Sequence, residues 1–364
     1  MFENENIFIL ELCKFKTYDK NKLKELIEKS LDYPYILGQL LFNRVGGVAY
    51  YVLKECNLLS KLNREFRNSL KAIYDSNTQK TNSFLISLED LSEMFKSADF
   101  NYALLKGSYL VYLYEKGLRT SNDFDILINQ EDITKLSNVL KENGFVQGYI
   151  RNEQFIPATR TEIISSRMNR GETVPFIKTV DLPQMKFCEI DINFSLDFKA
   201  KQENDAVKNI LKRSEELIST KTGNLFTLSA SDFLIQLCVH LFKEASIFNW
   251  VEMGRDLSIY KFMDIYLFIT LFMNNKLASE LEKTIFEFDL HNECYYSFLY
   301  AKQLFGIENA DFDELIKKIQ PNDLSYLNQI ISPSDGNVYA YDMDFESWLF
   351  FSKRKEQLYE VKHD

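Results

Sequence analysis

An apolar run that ends in Gly107-Ser108 is followed, after fourteen residues, by Asp123-Phe-Asp125. Tyr102–Lys106 is short and apolar and ends at a glycine, which is typical of a strand that leads into a turn. The spacing of apolar residues predicts a helix over Ser108–Lys116 and a second strand over Phe124–Ile128. The chain is therefore expected to fold locally as strand, turn, helix and strand, with two aspartates at the beginning of the second strand.

Asp123 and Asp125 are expected to point to one face of that strand, because residues i and i+2 of a strand share a face. Two carboxylates so close repel each other unless a cation lies between them, and Mg²⁺ prefers such oxygen ligands together with substrate phosphates. Gly107 and Ser108 offer backbone N–H groups and a hydroxyl at the beginning of a helix, where a phosphate is favoured. Each feature alone is more often structural, whereas their order along the chain is more specific.

A further carboxylate is available on a later strand. Cys188–Phe194 alternates apolar and polar residues, which places Glu189, Asp191 and Asn193 on one strand face. Either Glu189 or Asp191 could complete a site for two metal ions together with the Asp-Phe-Asp pair.

Helical patterns dominate on both sides of this α/β segment. The expected strands after the aspartates are Phe145–Ile150, Val174–Val180 and Lys186–Leu196, and a polar loop or hairpin separates the first two. Residues 62–100 are expected to form one long helix or two in line, and the expected helices after the strands are Val207–Leu217, Ser229–Ala245, Leu257–Phe272, Ala278–Phe288 and Cys294–Leu304. These patterns predict an α+β fold with a helical region at 1–100, a mixed-sheet core at 101–200 and a helical domain at 201–364.

Composition restricts the classes of function. The chain carries 43 basic and 53 acidic side chains, for a net charge of −10, which argues against broad nucleic-acid binding because such binding requires clustered Lys and Arg. Five separated cysteines and three histidines argue against a zinc site and favour reduced, packed thiols. The N-terminus is acidic before its apolar run, and the longest strongly apolar stretch, Ile265–Met273, is too short to span a bilayer. We therefore expect a soluble cytoplasmic protein without a membrane partner.

The order of these motifs resembles the nucleotidyltransferases of the DNA polymerase β superfamily. Their signature is an apolar residue, Gly, then Gly or Ser, a helix and Asp-x-Asp, with a third carboxylate on a later strand. Within that superfamily the chain looks like the bacterial group called uncharacterised nucleotidyltransferases. The residues that carry the likeness in the strand–helix–strand segment are Lys106-Gly107, Tyr114, Arg119 and Asp123–Ile128.

Two later segments add to the resemblance. Asp191–Leu196 looks like the group's acidic-x-His-aromatic strand, with Asn193 where a histidine is common. Leu237–Glu244 and Ile259–Asp264 look like its downstream helices and contain His240, Lys243 and Lys261. These three residues are expected to bind nucleotide, although His240 could instead be a hydrogen-bonded core residue and Lys261 could form an ion pair with Asp264.

The resemblance implies a two-metal displacement on the α-phosphate of a nucleoside triphosphate, with pyrophosphate as leaving group. Asp123 and Asp125 would hold two Mg²⁺ ions, and Asp191 would hold the ion that activates the attacking hydroxyl. Gly107 and Ser108 would contact the β- and γ-phosphates, and ATP is the expected co-substrate. Lys106 either extends from the strand end into solvent or reaches a phosphate, and Arg119 either orients a carboxylate or contacts the triphosphate.

The sequence does not identify the acceptor of the nucleoside monophosphate. A small molecule or a peptide is favoured, and the acidic chain lowers the expectation for tRNA without removing it. Two other functions stay open: a toxin-type nucleotidyltransferase that acts on tRNA or protein, and a non-catalytic nucleotide-binding module. The presence of all three carboxylates favours an enzyme, because a binding module does not need so unfavourable a cluster of negative charge.

Overall fold

The computed structural model describes residues 2–169, 171–195, 206–220 and 222–361. The chain divides into two compact units, one made of Met1–Tyr74 with Leu234–Asp364 and the other of Asp75–Phe233. We call the first the helical unit and the second the sheet unit. Helices flank a mixed sheet, as the predicted α+β class requires. The boundaries of these two units differ from those of the three regions expected from the sequence. The packing within each unit explains the difference.

The N-terminal part of the helical unit consists of short helices with polar caps. They are α1 (Glu3–Cys13), α2 (Lys20–Ile27), α3 (Tyr33–Phe42) and α4 (Gly46–Glu55). The side chain of Asp19 accepts hydrogen bonds from the backbone of Asn21 and Lys22 at the beginning of α2, which satisfies donors that a helix leaves unpaired. The next helix, α5 (Arg64–Phe95), is one continuous helix, and its residues from Asp75 onward belong to the sheet unit.

The sheet unit contains the segments predicted to carry the chemistry. Its elements, in chain order after α5, are β1 (Tyr102–Leu104), α6 (Gly107–Leu113), β2 (Asp123–Ile128), α7 (Ile133–Glu142), β3 (Val146–Arg151), β4 (Gln154–Pro157), α8 (Arg160–Asn169), β5 (Phe176–Leu182), β6 (Met185–Asn193), α9 (Ala206–Lys212), β7 (Glu215–Ser219) and β8 (Asn224–Thr227). Within the described residues these strands form one eight-stranded sheet in the order β4-β3-β5-β6-β2-β1-β8-β7. The pairs β2–β6 and β1–β8 are parallel and the other pairs are antiparallel.

One face of this sheet is covered by helices. The apolar side chains that alternate along β2 and β6 pack in one buried cluster with residues of α5 and α7, namely Phe124, Ile126, Ile128, Ile190, Ile192, Phe84, Leu88, Leu91, Leu136 and Leu140. Because successive strand residues point to opposite faces, this packing directs the intervening polar residues to the other face. The same packing explains why the second part of α5 belongs to the sheet unit and not to a separate N-terminal region.

The sheet continues further along the chain than the sequence pattern predicts. The helix expected over Val207–Leu217 is wrong in its second half, since α9 ends at Lys212 and β7 begins at Glu215. Strand β8 pairs with β1, and the Thr227 hydroxyl donates a 2.7 Å hydrogen bond to the backbone oxygen of Leu104. Local periodicity does not report this long-range pairing, which places β8 in the sheet unit.

Two other segments of the sheet unit differ from expectation. The segment expected as loop or hairpin after β3 does form a hairpin of β3 with β4, but the helix α8 that follows was not expected. Thr159 and Glu162 begin α8 with reciprocal contacts, in which the Thr159 backbone donates to Glu162 at 2.7 Å and the Glu162 backbone donates to the Thr159 hydroxyl at 3.3 Å. The strand expected over Lys186–Leu196 runs from Met185 to Asn193, and Leu196 lies outside the described residues.

The C-terminal part of the helical unit follows β8. Its elements are α10 (Ala230–Ser246), whose first residues belong to the sheet unit, α11 (Phe248–Glu252), α12 (Ile259–Phe272), α13 (Asn275–Phe288), α14 (His291–Phe305), α15 (Ala310–Lys318), β9 (Gln329–Ile331), β10 (Val338–Ala340), α16 (Phe345–Phe350) and β11 (Tyr359–Glu360). The last three strands form a small sheet in the order β11-β10-β9 that the sequence pattern did not predict. Among the described helices, none combines the length and apolar character needed to cross a bilayer.

The N-terminal and C-terminal segments of the chain pack together in the helical unit. The Thr17 and Tyr266 hydroxyls lie 2.9 Å apart, and the backbone of Ile259 donates to the Asn43 side chain at 3.0 Å. These contacts explain why residues from both ends form one unit. All five cysteines are buried, and no disulfide forms among the described residues.

Candidate active site

The parallel pairing of β2 and β6 brings the predicted carboxylates together. Asp123 is the register partner of Glu189, and Asp125 is the register partner of Asp191. Because the interleaved apolar residues of both strands face the helices, these four acidic side chains lie on the opposite face of the sheet. Two neighbouring strands therefore present two carboxylates each.

Burial and mutual repulsion make these carboxylates hard to ionise. Burial, followed by the negative charges of Asp125 and Asp123, raises the pKa of Asp191 from 3.8 to about 8. The same two causes, burial first and Asp125 second, raise the pKa of Asp123. Burial and the charges of Asp123 and Asp125 also raise the pKa of Glu189. The cluster holds more negative charge than its surroundings balance, which is the condition that a divalent cation relieves.

Lys106 contacts the acidic cluster directly. Its Nζ lies 3.0 Å from Oδ1 of Asp125, and the Asn193 amide donates to the same oxygen at 3.5 Å. The backbone of Lys106 has φ = 46° and ψ = −121°, a conformation that residues with a side chain rarely adopt. Lys106 thus contacts an aspartate, and its expected contact with a phosphate stays a prediction.

The turn between β1 and α6 leaves no room for a side chain at Gly107. A Cβ atom there would lie within 2.1 Å of the Ser121 Oγ and 2.6 Å of the Ser121 Cβ. The Ser121 hydroxyl in turn donates to the backbone oxygen of Asp123 at 3.3 Å. Ser108 follows in α6, and its Oγ is buried without a hydrogen-bond partner among the described residues. A buried hydroxyl without a partner is unfavourable, so the Ser108 hydroxyl suits a polar ligand at this turn.

Arg119 lies in the connection between α6 and β2. Its guanidinium donates to the backbone oxygen of Thr120, and its own backbone oxygen accepts a 3.2 Å hydrogen bond from the Thr81 hydroxyl. Burial raises the pKa of Asp123, and the positive charge of Arg119 opposes that rise. Both expected roles of Arg119, orientation of a carboxylate and contact with a triphosphate, stay predictions.

The carboxylate oxygens of this cluster are the kind of ligand that Mg²⁺ prefers, although their side chains are not arranged around a single ion. Within the part of the chain that the structure describes, no group of three or more His, Cys, Asp or Glu side chains is arranged to hold a metal ion. The carboxylates of Asp123, Asp125 and Asp191 are nevertheless hard oxygen donors on one sheet face, at the register where their negative charges repel. Hence the residue types and their register suit Mg²⁺.

His240, Lys243 and Lys261 belong to the helical unit. His240 Nε2 lies 3.5 Å from Oε2 of Glu244 on the same helix, and Lys261 Nζ lies 2.5 Å from that oxygen. Lys261 also donates to the backbone oxygens of Arg255 and Asp256 at 3.3 and 3.2 Å. Lys261 therefore pairs with Glu244, whereas Asp264 was the partner suggested by sequence spacing. The role of the three residues toward a nucleotide stays a prediction.

Sequence reasoning missed two residues beside the carboxylates. The backbone of Glu172 bridges to Asn193, and its negative charge is one of those that raise the pKa of Asp191, after burial and the nearer aspartates. Ser121 fills the space that a side chain on Gly107 would need. Neither lies in a periodic pattern, so no signal in the sequence points to them.

A sequence model of a family described as "Uncharacterised nucleotidyltransferase" matches residues 30–306. No curated protein matches the sequence. Among solved structures, an antigenic nucleotidyltransferase-like protein from Paracoccidioides brasiliensis is similar, with 12% identity and a TM-score of 0.39 over 66% of this chain and 94% of that chain. At that level the structural likeness supports no statement about the site.

Proposed function

Because this chain belongs to the family of uncharacterised nucleotidyltransferases, we propose that it transfers a nucleoside monophosphate from a nucleoside triphosphate to a hydroxyl group. The observation that carries the proposal is the pairing of Asp125 with Asp191, beside Asp123, on the face of one parallel strand pair that lies opposite the apolar cluster. Carboxylates that repel each other on a sheet face are unfavourable for stability. Binding of a divalent cation together with a triphosphate would explain why the protein carries them.

Asp123, Asp125 and Asp191 would hold two Mg²⁺ ions, which supply positive charge for the phosphates and make the acceptor hydroxyl more acidic. The acceptor oxygen attacks the α-phosphorus, a new P–O bond forms, and the bond to the bridging oxygen of the β-phosphate breaks. Pyrophosphate leaves with that electron pair, and the hydroxyl proton passes to the carboxylate of Asp191. ATP is the proposed co-substrate.

The turn that follows β1 would bind the rest of the triphosphate. The Gly107 backbone N–H and the Ser108 hydroxyl are the proposed donors to the β- and γ-phosphate oxygens, and Ser108 Oγ has no other partner among the described residues. Lys106 and Arg119 add positive charge beside the carboxylates. His240, Lys243 and Lys261 are proposed as further nucleotide contacts, on the strength of the motif alone.

The acceptor is proposed to be a small molecule or a peptide. A net charge of −10 disfavours extended contact with a nucleic-acid backbone. A tRNA or protein acceptor, as in a toxin-type enzyme, is the second candidate, and we expect a cytoplasmic setting for either.

Transfer is tested with α-³²P-labelled triphosphates, Mg²⁺ and cell extract, followed by identification of the labelled product. Asp125→Asn should abolish labelling while the protein stays folded, because the carboxamide cannot replace the charged ligand. Glu131→Gln, which changes an exposed carboxylate in the turn after β2, is the matched control and should label normally. Undiminished transfer by Asp125→Asn at saturating Mg²⁺ would contradict the proposal, and Mg²⁺-dependent nucleotide binding without any transfer would favour a non-catalytic module.

A further inference from the structure

Lys106 is held against the candidate metal ligands by the backbone around it. It follows β1 directly, and the backbone N–H of Leu105 donates to the backbone oxygen of Asp125 at 2.9 Å. The Lys106 carbonyl oxygen accepts hydrogen bonds from Tyr109 and Leu110 at 3.1 and 3.0 Å. The main chain on both sides of Lys106 is thus attached either to the acidic strand or to α6.

This attachment maintains a strained conformation. A φ of 46° with a ψ of −121° is suited to glycine, and a residue with a Cβ adopts it only where surrounding contacts impose it. The next residue, Gly107, is pressed against Ser121, which blocks a simple shift of the turn. A lysine in this backbone conformation is unfavourable for stability, and contacts of its side chain can offset part of that cost.

One partner of the Lys106 side chain is a proposed metal ligand, Asp125. Its ammonium lies 3.0 Å from Oδ1 of Asp125, with 24% of the lysine side chain exposed and 9% of the aspartate side chain exposed. An ammonium donor directed at a carboxylate oxygen uses a lone pair that a metal ion would otherwise receive. In this partly buried setting the attraction is stronger than for an ion pair in water.

We propose that Lys106 is an internal cation that competes with divalent metal for Asp125 and moves to the triphosphate when metal and nucleotide bind together. This inference rests on the proposed function and adds that metal binds more readily together with the triphosphate than alone. Metal alone must displace the ammonium from Asp125, whereas metal that arrives with a triphosphate brings new acceptor oxygens for that ammonium. Metal and nucleotide binding are then linked, with each favouring the other.

The test measures Mn²⁺ binding without nucleotide, by the loss of the free-Mn²⁺ electron paramagnetic resonance signal. Lys106→Met removes the charge and keeps the stem, and it should bind Mn²⁺ roughly tenfold more tightly than the wild type, which corresponds to about 1.4 kcal/mol. Lys106→Gly also removes the charge, and glycine adopts a positive φ without strain. It should bind Mn²⁺ as tightly as Lys106→Met, and it should remain folded even if Lys106→Met does not. Lys106→Arg keeps a cation and should bind Mn²⁺ as weakly as the wild type.

Lys116→Met is the matched control, because Lys116 is an exposed lysine near the end of α6 whose Nζ donates to Asn82 at 2.7 Å. It should leave Mn²⁺ affinity unchanged. A second readout is the KM for ATP, which should rise in Lys106→Met and not in Lys116→Met. The inference is overturned if Lys106→Met and Lys106→Gly bind Mn²⁺ no more tightly than the wild type. Failure of the wild type to transfer nucleotide overturns the proposed function separately, since Mn²⁺ affinity does not depend on turnover.

Discussion

Asp125 and Asp191 are register partners across the parallel strands β2 and β6, although a long stretch of sequence separates them. Their pairing follows from the apolar residues on the other face of both strands, which pack beneath α5 and α7. The hydrophobic core of the sheet unit therefore fixes the spacing of the candidate metal ligands, and the carboxylates themselves oppose it.

The two acidic residues of β6 should differ in their importance for transfer. Asp191 pairs with Asp125, whereas Glu189 pairs with Asp123 at the beginning of β2. Asp191→Ala should lower kcat/KM by several orders of magnitude, because it removes a metal ligand and the acceptor of the hydroxyl proton, and Glu189→Ala should have a small effect. Steady-state kinetics at saturating Mg²⁺ measure both, and the opposite order would show that Glu189 is the third ligand.

Stability without divalent cations should fall as the pH rises. Asp191 keeps its proton in the folded protein up to a pKa of about 8, whereas the unfolded chain loses it near 3.8. Between these two pKa values the folded state binds more protons than the unfolded state. The contribution of this carboxyl to stability is therefore complete below about pH 4 and is lost as the pH rises towards 8.

Urea unfolding at several pH values in chelator measures this dependence. Asp191→Asn should flatten the decline, since its carboxamide does not titrate, while the exposed-site control Glu131→Gln should keep the wild-type slope. An equally steep decline in Asp191→Asn would contradict the predicted role of that carboxyl.

Mg²⁺ and ATP together should raise the melting temperature. A ligand that binds only the folded state stabilises it by about 2.7 kcal/mol at a hundredfold excess over its Kd. The increase should require the divalent ion, because the triphosphate alone meets uncompensated carboxylates. Thermal scans with ATP in Mg²⁺ and in excess chelator test this, and an equal shift in both conditions would contradict a metal-bridged complex.

Gly107 and Ser121 should show strong coupling in a double-mutant cycle. A Cβ on Gly107 overlaps the Ser121 side chain, so Gly107→Ala should reduce the free energy of unfolding by about 1–3 kcal/mol. Adding Ser121→Gly removes the overlapping atoms and should recover part of that loss. Urea titration of both single variants and the double variant gives the interaction energy, and strict additivity would show that the turn relaxes by another route.

Breaking the buried ion pair of the helical unit should destabilise the protein strongly. Arg354 donates to both oxygens of Asp256 at 2.7 and 2.6 Å, and the two side chains are 4% and 0% exposed. Arg354→Met leaves a buried carboxylate without its cation and should lower the free energy of unfolding by about 3–5 kcal/mol. Lys353→Met, at an exposed pair with Glu356, should change it by less than about 1 kcal/mol.

The predictable part of the fold was the part with regular local patterns. The alternation around Asp123 and Asp191 predicted two strands and the face on which the aspartates lie, and the spacing of apolar residues predicted α5 as a long helix. Family membership and the α+β class are confirmed. The roles of the named site residues stay predictions.

What the sequence did not predict depends on contacts between distant segments. Strand β8 pairs with β7 and, through Thr227, with the distant strand β1, and Glu215 begins a strand although the residues around it have helical spacing. The ion pair between Lys106 and Asp125 depends on an uncommon backbone conformation at a lysine, which composition and periodicity do not report.

The position of β6 in the sheet also has a consequence for the order in which the chain folds. Strands β5 and β6 are joined by a short turn and pair antiparallel, so they can associate early, whereas β6 meets β2 only through a non-local, parallel pairing. Until that step, Asp191 and Glu189 remain hydrated and distant from the aspartates of β2. We therefore expect the electrostatic repulsion within the site to arise late in folding, when burial of the apolar face of the sheet can offset it.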